Sequence, residues 1–308
     1  SEVSVVIPTY NGKNKLAGAL EALQKQTFRD FEIVISDDGS TDGTSKWVGE
    51  NAPFAKLRTG PNLGRAGARN AGAKIASGNW LIFLDDDMHP EPDCLQKLVE
   101  RAQTNEGIFT GAQRIPQLSH EDPKREECLA YRRYLERRWQ KEIPAVFAHL
   151  NAQNIFFTAA VCLIPRKFFE HLGGFDERLR DAEDLDFALR ALEAQINVFY
   201  EPAAVAWHHD FPTLHEYVLR QIEYRAATAR LLGLHPEYVE KYARFGVDIR
   251  ISPIKKLSYW LTAHPATLSL LFIPRALIPE NLRFRMYDRV VSGLSLYFPD
   301  RMLKHANQ

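Results

Sequence analysis

Three consecutive carboxylates, Asp85-Asp86-Asp87, follow the apolar run Leu81-Ile82-Phe83-Leu84. That junction reads as a buried strand delivering acids to the rim of a sheet. Adjacent carboxylates repel one another unless a cation sits among them. Mg2+ and Mn2+ favour such oxygen ligands and usually carry substrate phosphates as well. A solvated acidic turn is the plain alternative, so the rest of the chain has to decide. Arg65 and Arg69 stand one helical turn apart in the Gly-rich stretch Gly64–Gly72. A helix N-terminus with guanidinium groups suits a pyrophosphate, while surface pairing with local acids is the simpler use of either arginine. A second acidic group, Asp181, Glu183, Asp184 and Asp186, opens the helical stretch Leu185–Leu192. N-capping explains one acid there and explains all four poorly.

Placing these groups together requires a particular scaffold. Val3-Ser4-Val5-Val6-Ile7 is a β-branched run broken by Pro8-Thr9-Tyr10-Asn11-Gly12. Leu16, Leu20 and Leu23 then repeat at helical spacing. Phe31–Ser36 predicts a second strand, closed by Asp37-Asp38-Gly39-Ser40, and Ala55–Arg58 a third element before the Gly-rich helix. Strand and helix alternating at this spacing predict a parallel α/β sheet. Ligands collect at the carboxyl ends of such strands, so Tyr10, Asp38 and Asp87 are expected on one rim. Gly173-Gly174 fits a helix C-cap turn. A further strand is predicted at Asn197–Tyr200, with a short apolar segment, Ala203–Trp207, leading to His208-His209.

In this order the motifs resemble inverting glycosyltransferases of family 2, which have the GT-A fold. The resemblance is carried by Val5-Val6-Ile7-Pro8-Thr9-Tyr10-Asn11, Ser36-Asp37-Asp38-Gly39-Ser40-Thr41-Asp42-Gly43-Thr44, Asn62-Leu63-Gly64 with Ala68-Arg69-Asn70-Ala71-Gly72, and Leu84-Asp85-Asp86-Asp87. It resumes at Gly173-Gly174-Phe175-Asp176-Glu177 and Glu183-Asp184-Leu185-Asp186-Phe187 with Arg190, and covers about the first 210 residues. It implies a Rossmann-like, mostly parallel sheet flanked by helices, spanning residues 1–212, with a helical C-terminal region over 213–308. It also implies a nucleotide-diphospho-sugar donor, a UDP-sugar being expected, and an acceptor hydroxyl on a glycan, a lipid-linked glycan or a small molecule. Pro8, Thr9 and Tyr10 would floor the base, although Tyr10 also reads as plain core. Asp38 would accept hydrogen bonds from base or ribose, unless it or Asp37 only caps its turn. Arg65 and Arg69 would meet the diphosphate, with Asp85 and Asp86 beside the donor. Asp87 would ligate Mn2+ or Mg2+, joined by His208, with His209 as the alternative ligand. Asp184 would be the general base, with Asp186 and Glu183 next in line.

Composition narrows the remaining classes. Formal net charge is zero, with 39 basic and 39 acidic residues, which argues against general nucleic-acid binding. Cys94, Cys128 and Cys162 are odd in number and lack metal-type spacing, so small buried side chains in a reducing, cytoplasmic compartment are expected. The opening residues do not read as a signal peptide. Residues 241–308 hold eleven Lys or Arg against four Asp or Glu, a balance of +7. Trp260, Tyr259 and Leu270–Ile273 are interleaved with that charge, and Pro265, Pro274 and Arg275 interrupt the apolar stretch. Peripheral contact with the inner face of a membrane, a homodimer contact, or packing on the catalytic domain are the three expectations for this region. A sugar-phosphate nucleotidyltransferase is the alternative enzyme, but Asn11-Gly12-Lys13-Asn14-Lys15 does not resemble its loop. A non-catalytic nucleotide-sugar binder is the other alternative, and the full set of acids opposes it. Gln221-Ile222-Glu223-Tyr224-Arg225 departs from the Gln-x-x-Arg-Trp motif of cellulose-synthase-like relatives, which argues against a processive synthase.

Overall fold

A computed structural model describes residues 1–179, 181–242, 245, 252–262 and 278–297. The tail positions Pro265, Leu270–Ile273, Pro274 and Arg275 lie outside them. In chain order the first half comprises β1 (Val3–Thr9), α1 (Lys13–Gln24), β2 (Phe31–Asp37), α2 (Thr44–Asn51), β3 (Lys56–Thr59), α3 (Gly64–Ile75), β4 (Trp80–Leu84), β5 (Met88–Pro90), α4 (Cys94–Thr104) and β6 (Ile108–Arg114). There follow α5 (Pro123–Trp139), β7 (Ala148–Leu150), β8 (Val161–Pro165), α6 (Arg166–His171), α7 (Glu183–Glu193) and β9 (Val198–His208). The last helices are α8 (Leu214–Leu234), α9 (Tyr238–Lys241), α10 (Pro253–Thr262) and α11 (Glu280–Tyr297).

The strands form one nine-stranded sheet in the order β3-β2-β1-β4-β8-β6-β9-β5, with β7 also on β9. From β3 to β4 every pairing is parallel. Beyond β4 the sheet is mixed: β8 runs antiparallel to β4 and β6, and β5 antiparallel to β9. Crossover from β1 through α1 to β2 is what aligns the carboxyl ends of β1, β2 and β4.

Strand alternation decides which helices cover which face. Val3, Val5, Ile7, Ile33, Ile35, Ile82 and Leu84 form one cluster with Leu16, Leu20 and Leu23 of α1 and Leu95, Leu98 and Val99 of α4. The opposite face carries Val6 and Phe83. Gly72 of α3 lies so close to Val6 that an added Cβ would stand 2.5 Å from its methyl group. Phe83 packs on Phe169 and Phe175, with ring centroids 5.4 and 5.1 Å away, and Phe187 of α7 completes the group. Both faces of this part of the sheet are therefore covered, which is why its strands are almost continuously apolar.

β9 runs unbroken through Glu201-Pro202, where the sequence suggests two separate segments. The pairing with β6 jumps from Gly111↔Glu201 to Ala112↔Val205. Pro202 falls inside that excursion, where its missing N–H removes no ladder bond.

The chain divides into two compact units. One holds Ser1–Pro116 and Gln140–Asp210, and so the whole sheet. The other holds Gln117–Trp139 and Phe211–Gln308. Within the second, Cys128 and Tyr131 of α5 share an apolar core with Val218 and Ile222 of α8 and Phe284, Tyr287 and Leu294 of α11. Arg283 bonds the buried Glu127 at 2.5 Å, and the Tyr287 hydroxyl donates to the same carboxylate at 3.0 Å. Among the described residues no helix is long and apolar enough to cross a membrane.

Candidate active site

β1, β2 and β4 end on one rim of the sheet unit, and each end carries polar side chains. At the end of β1 the Thr9 hydroxyl donates to Asp86 Oδ2 at 2.6 Å. Gly12 makes that bond feasible, since a Cβ there would stand 2.0 Å from Thr9 Oγ1 and 2.2 Å from Asp86 Oδ2. Pro8 lies inside β1, beside Ser36 of β2. Tyr10 is 52% exposed, so it is not core and its ring is free to meet a planar ligand.

The end of β2 is tied down by its own acids. Asp37 accepts from the Ser40 N–H and the Ser45 hydroxyl. Asp38 Oδ1 accepts from the Leu63 N–H at 2.8 Å and Oδ2 from the Gly64 N–H at 2.9 Å. Asp38 thus caps the first amides of α3, with lone pairs remaining on each oxygen. Both acids of this turn carry a capping role.

The two arginines of α3 differ. Arg65 is half exposed and reaches Asp181 at 2.9 Å. Arg69 is 3% exposed and bridges Asp85 Oδ1 at 2.6 Å and Glu183 Oε1 at 2.5 Å. It therefore fixes the tip of β4 to the start of α7. A backbone link parallels it: the Asp85 N–H donates to the Ala160 carbonyl at 3.1 Å, while the neighbouring Ala159 N–H donates to Asp184 Oδ2 at 3.2 Å. Asp184 is in this way held close behind the acidic strand tip. Burial raises its carboxyl, with Arg69 opposing. Burial likewise pushes Glu183 up to about 7 against the pull of Arg69. The third acid of the helix start, Asp186, pairs with Arg190 at 2.7 Å, and Arg190 also donates to the Leu172 and Gly174 carbonyls. Gly173 and Gly174, both at φ +76°, close α6 by donating to Glu170 and Phe169.

Asp87 is the most heavily engaged of the three consecutive acids. Lys15 lies 3.1 Å from its Oδ2 and His208 Nε2 lies 3.5 Å from its Oδ1. Burial alone would raise the Asp87 carboxyl, but His208 and Lys15 hold it well below the usual carboxylate range. Asp86 is pushed up to about 7, by burial first and then by the charge of Asp87. His208 is fixed by pairing opposite Met88 and by a 2.5 Å contact from Gln113 Nε2 to its Nδ1. His209 instead gives its N–H to the Asp87 carbonyl and stacks its ring on His89, with centroids 3.7 Å apart.

These donors fit a divalent cation. A 3.5 Å gap between Asp87 Oδ1 and His208 Nε2 is long for a hydrogen bond. Neighbouring ligands of an octahedral ion at about 2.1 Å each stand about 3.0 Å apart, so these two side chains could share one ion after a shift of about 0.5 Å. Among the described residues no three His, Cys, Asp or Glu side chains form a ready cage. Mg2+-type sites commonly use only one or two carboxylates and complete the shell with water and substrate phosphates. Lys15 and Gln113 have no signature in the sequence, because each meets its partner across a long separation. Lys15 shares only its place in a polar helix start, and Gln113 only its position on an apolar strand.

Comparison with known proteins agrees with this architecture. The chain is 29% identical over 191 residues to an uncharacterised glycosyltransferase of Haemophilus influenzae, covering 62% of each protein. It is 28% identical over 239 residues to the pre-mycofactocin glycosyltransferase of Mycobacterium tuberculosis, covering 77% of this chain and 48% of that one. The matches thus span about half to three-fifths of those relatives' lengths. Among solved structures, the mannosyltransferase PcManGT of Pyrobaculum calidifontis, in complex with GDP-Man and Mn2+, superposes with a TM-score of 0.61 at 18% identity, over 96% of this chain and 87% of that one. TarS 1-349 of S. aureus in complex with UDP gives 0.55 at 16% identity, over 96% and 89%. These likenesses show the shared GT-A fold. The profile described as Glycosyl transferase family 2 matches residues 4–172, more than half of the chain, and the chain belongs to that family of glycosyltransferases.

Proposed function

We propose that this glycosyltransferase moves a sugar from a UDP-sugar to an acceptor hydroxyl with inversion at the anomeric carbon, using Mn2+ or Mg2+. The observation that carries the reading is the pairing of two chemistries on one rim. Asp87 and His208 offer cation ligands, while Arg69 and the Ala159–Ala160 backbone bring Asp184 to the same strand tip. Structural relatives support a metal-assisted donor, one being a complex with GDP-Man and Mn2+ and others complexes with UDP and UDP-GlcNAc.

In this reading Tyr10, Pro8 and Thr9 line the base, and Asp38 uses its spare lone pairs on base or ribose. Arg65, half exposed at the start of α3, meets the diphosphate. Arg69 positions rather than contacts, because its two terminal nitrogens already serve Glu183 and Asp85. Bound at Asp87 and His208, a divalent ion would supply Lewis-acid stabilisation to the departing nucleoside diphosphate. Asp184 takes the proton of the attacking hydroxyl; its burial raises its basicity and so suits it to that task. Residues 1–212 would carry donor binding and catalysis. Residues 213–308 would serve the acceptor, a second copy or the cytoplasmic face of a membrane. The acceptor is a hydroxyl of a glycan, a lipid-linked glycan or a small molecule.

The test is a panel of UDP- and GDP-sugars with Mn2+, read first by thermal shift and then by transfer to simple glycoside acceptors, with the product anomer assigned by NMR. Stabilisation by UDP-sugars and an inverted product support the proposal. Preference for GDP-sugars would reassign the nucleotide, and a retained anomer would remove Asp184 from the role of base.

A further inference from the structure

Asp87 already has a cation within its own chain. The Lys15 ammonium sits 3.1 Å from Oδ2, while Oδ1 is the oxygen turned toward His208. The two partners differ in freedom. Asp87 is 12% exposed, and its backbone is pinned by the His209 N–H at 2.8 Å and by the pairing of Met88 with His208. Lys15 is 46% exposed at its side chain and stands in the first turn of α1, on a flexible four-carbon stem. Asp86 and Asp210 also attract it. The lysine can therefore move while the carboxylate stays. Its present partner is the same carboxylate that a divalent ion would use.

We propose that Lys15 is a resident counter-ion, holding Asp87 until a divalent cation and a nucleoside diphosphate arrive together, and then exchanging Asp87 for a phosphate oxygen. The inference rests on the assignment of Asp87 to the metal. A cation arriving alone at Oδ1 would meet the repulsion of the ammonium on Oδ2, which has only its weaker attractions to Asp86 and Asp210 to fall back on. With a diphosphate present, the ammonium has a new anion. Each ligand therefore strengthens binding of the other, and by the same factor.

Isothermal titration of the full chain with Mn2+, with UDP or GDP, and with Mn2+ in the presence of each nucleotide measures that coupling. In Lys15→Met, Mn2+ alone should bind roughly tenfold more tightly, because a competing unit charge about 4 Å from a hydrated site is gone. The enhancement of Mn2+ binding by nucleotide should shrink by a similar factor, and Lys15→Arg should restore the wild-type pattern. Circular dichroism melts confirm that each variant folds. If Lys15→Met binds Mn2+ no more tightly than wild type while Asp87→Asn abolishes metal binding, the counter-ion role is overturned and the metal assignment stands. If wild type binds no Mn2+ with or without UDP or GDP, the metal assignment falls and the counter-ion role falls with it.

Discussion

Replacing Arg69 with methionine should destabilise the sheet unit by about 3–5 kcal/mol near pH 8.5, the usual consequence of leaving a buried charge unpaired. Arg69 is 3% exposed and Glu183 is as deeply buried, with Oε1 bonded to Arg69 and Oε2 lacking a hydrogen-bond partner. Without the guanidinium, Glu183 must be ionised with little compensation or protonated. Its carboxyl stands at about 7 with Arg69 present, above the ordinary value of 4.5. Folded Glu183 therefore holds its proton more tightly than the unfolded chain does. Its contribution to stability is fully present below about pH 4.5 and is lost as pH rises toward 7. Removing Arg69 lifts that pKa further, so the loss continues to higher pH. The deficit of Arg69→Met relative to wild type should consequently grow from pH 6 to pH 8.5. Arg69→Met combined with Glu183→Gln removes both charges and should recover half or more of the loss, since Asp85 is accessible enough to rehydrate. Equilibrium urea unfolding by far-UV circular dichroism at pH 6, 7 and 8.5 provides the comparison. A deficit under about 1 kcal/mol, a deficit independent of pH, or no recovery in the double variant would refute the reasoning.

Asp87→Asn keeps shape and loses charge, so calorimetry should show metal-dependent UDP binding disappear; equal UDP affinity with and without chelator would remove the metal from the site. Asp184→Asn should leave donor affinity nearly unchanged and lower transfer by roughly 10²–10⁴, whereas near-normal turnover would move the base to Asp186 or Glu183. Gly12→Ala drives a methyl group into the Thr9–Asp86 bond, 2.0 and 2.2 Å from its two oxygens, and should cost about 1–3 kcal/mol of stability by chemical denaturation; a neutral result would show that the end of β1 can shift. Helix α10 exposes Ile254, Leu257, Trp260 and Leu261 in a basic region, so anionic vesicles should co-sediment with the protein and release it as salt rises; a chain that ignores vesicles but loses a dimer on truncation at Ser252, by sedimentation velocity, would make the same helix a subunit contact.

Much of the scaffold was legible because local pattern and global use agree. The first strand, Leu16-Leu20-Leu23 and the acid-tipped strand are apolar wherever the sheet buries them. The strands run slightly past the expected breaks, β1 through Pro8 and Thr9 and β2 through Asp37, and the remaining breakers, Tyr10 to Gly12 and Asp38-Gly39, stand at the rim. Arg69 was less legible. Helical spacing pairs it with Arg65, yet one is exposed and the other buried. The available signal is its setting among Ala66, Gly67, Ala68, Gly72 and Ala73, all small buried residues of α3. The grouping of α5 with the C-terminal helices also has a trace, since Cys128, Tyr131 and Leu135 repeat at helical spacing. What they cover, Phe284 and Tyr287, lies some 150 residues away, and spacing alone cannot name a distant partner.

Charge around the rim argues for the order in which ligands bind. Asp85, Asp86, Asp87, Asp181, Glu183 and Asp184 gather there, and the cations that meet them are Lys15, Arg65 and Arg69. The elevated Asp86 and Glu183 are responses to that crowding as well as to burial. A nucleoside diphosphate approaching such a surface alone meets like charge, and Arg65 by itself is a weak lure because it already serves Asp181. In the proposed function, Asp87 would hold a divalent ion that arrives with the diphosphate, and the charge balance there would reverse. Lys15 would then be free to meet phosphate. Under the proposed function, donor recognition at this rim would be recognition of a metal–nucleotide pair, because the acids that repel a lone anion would favour the pair.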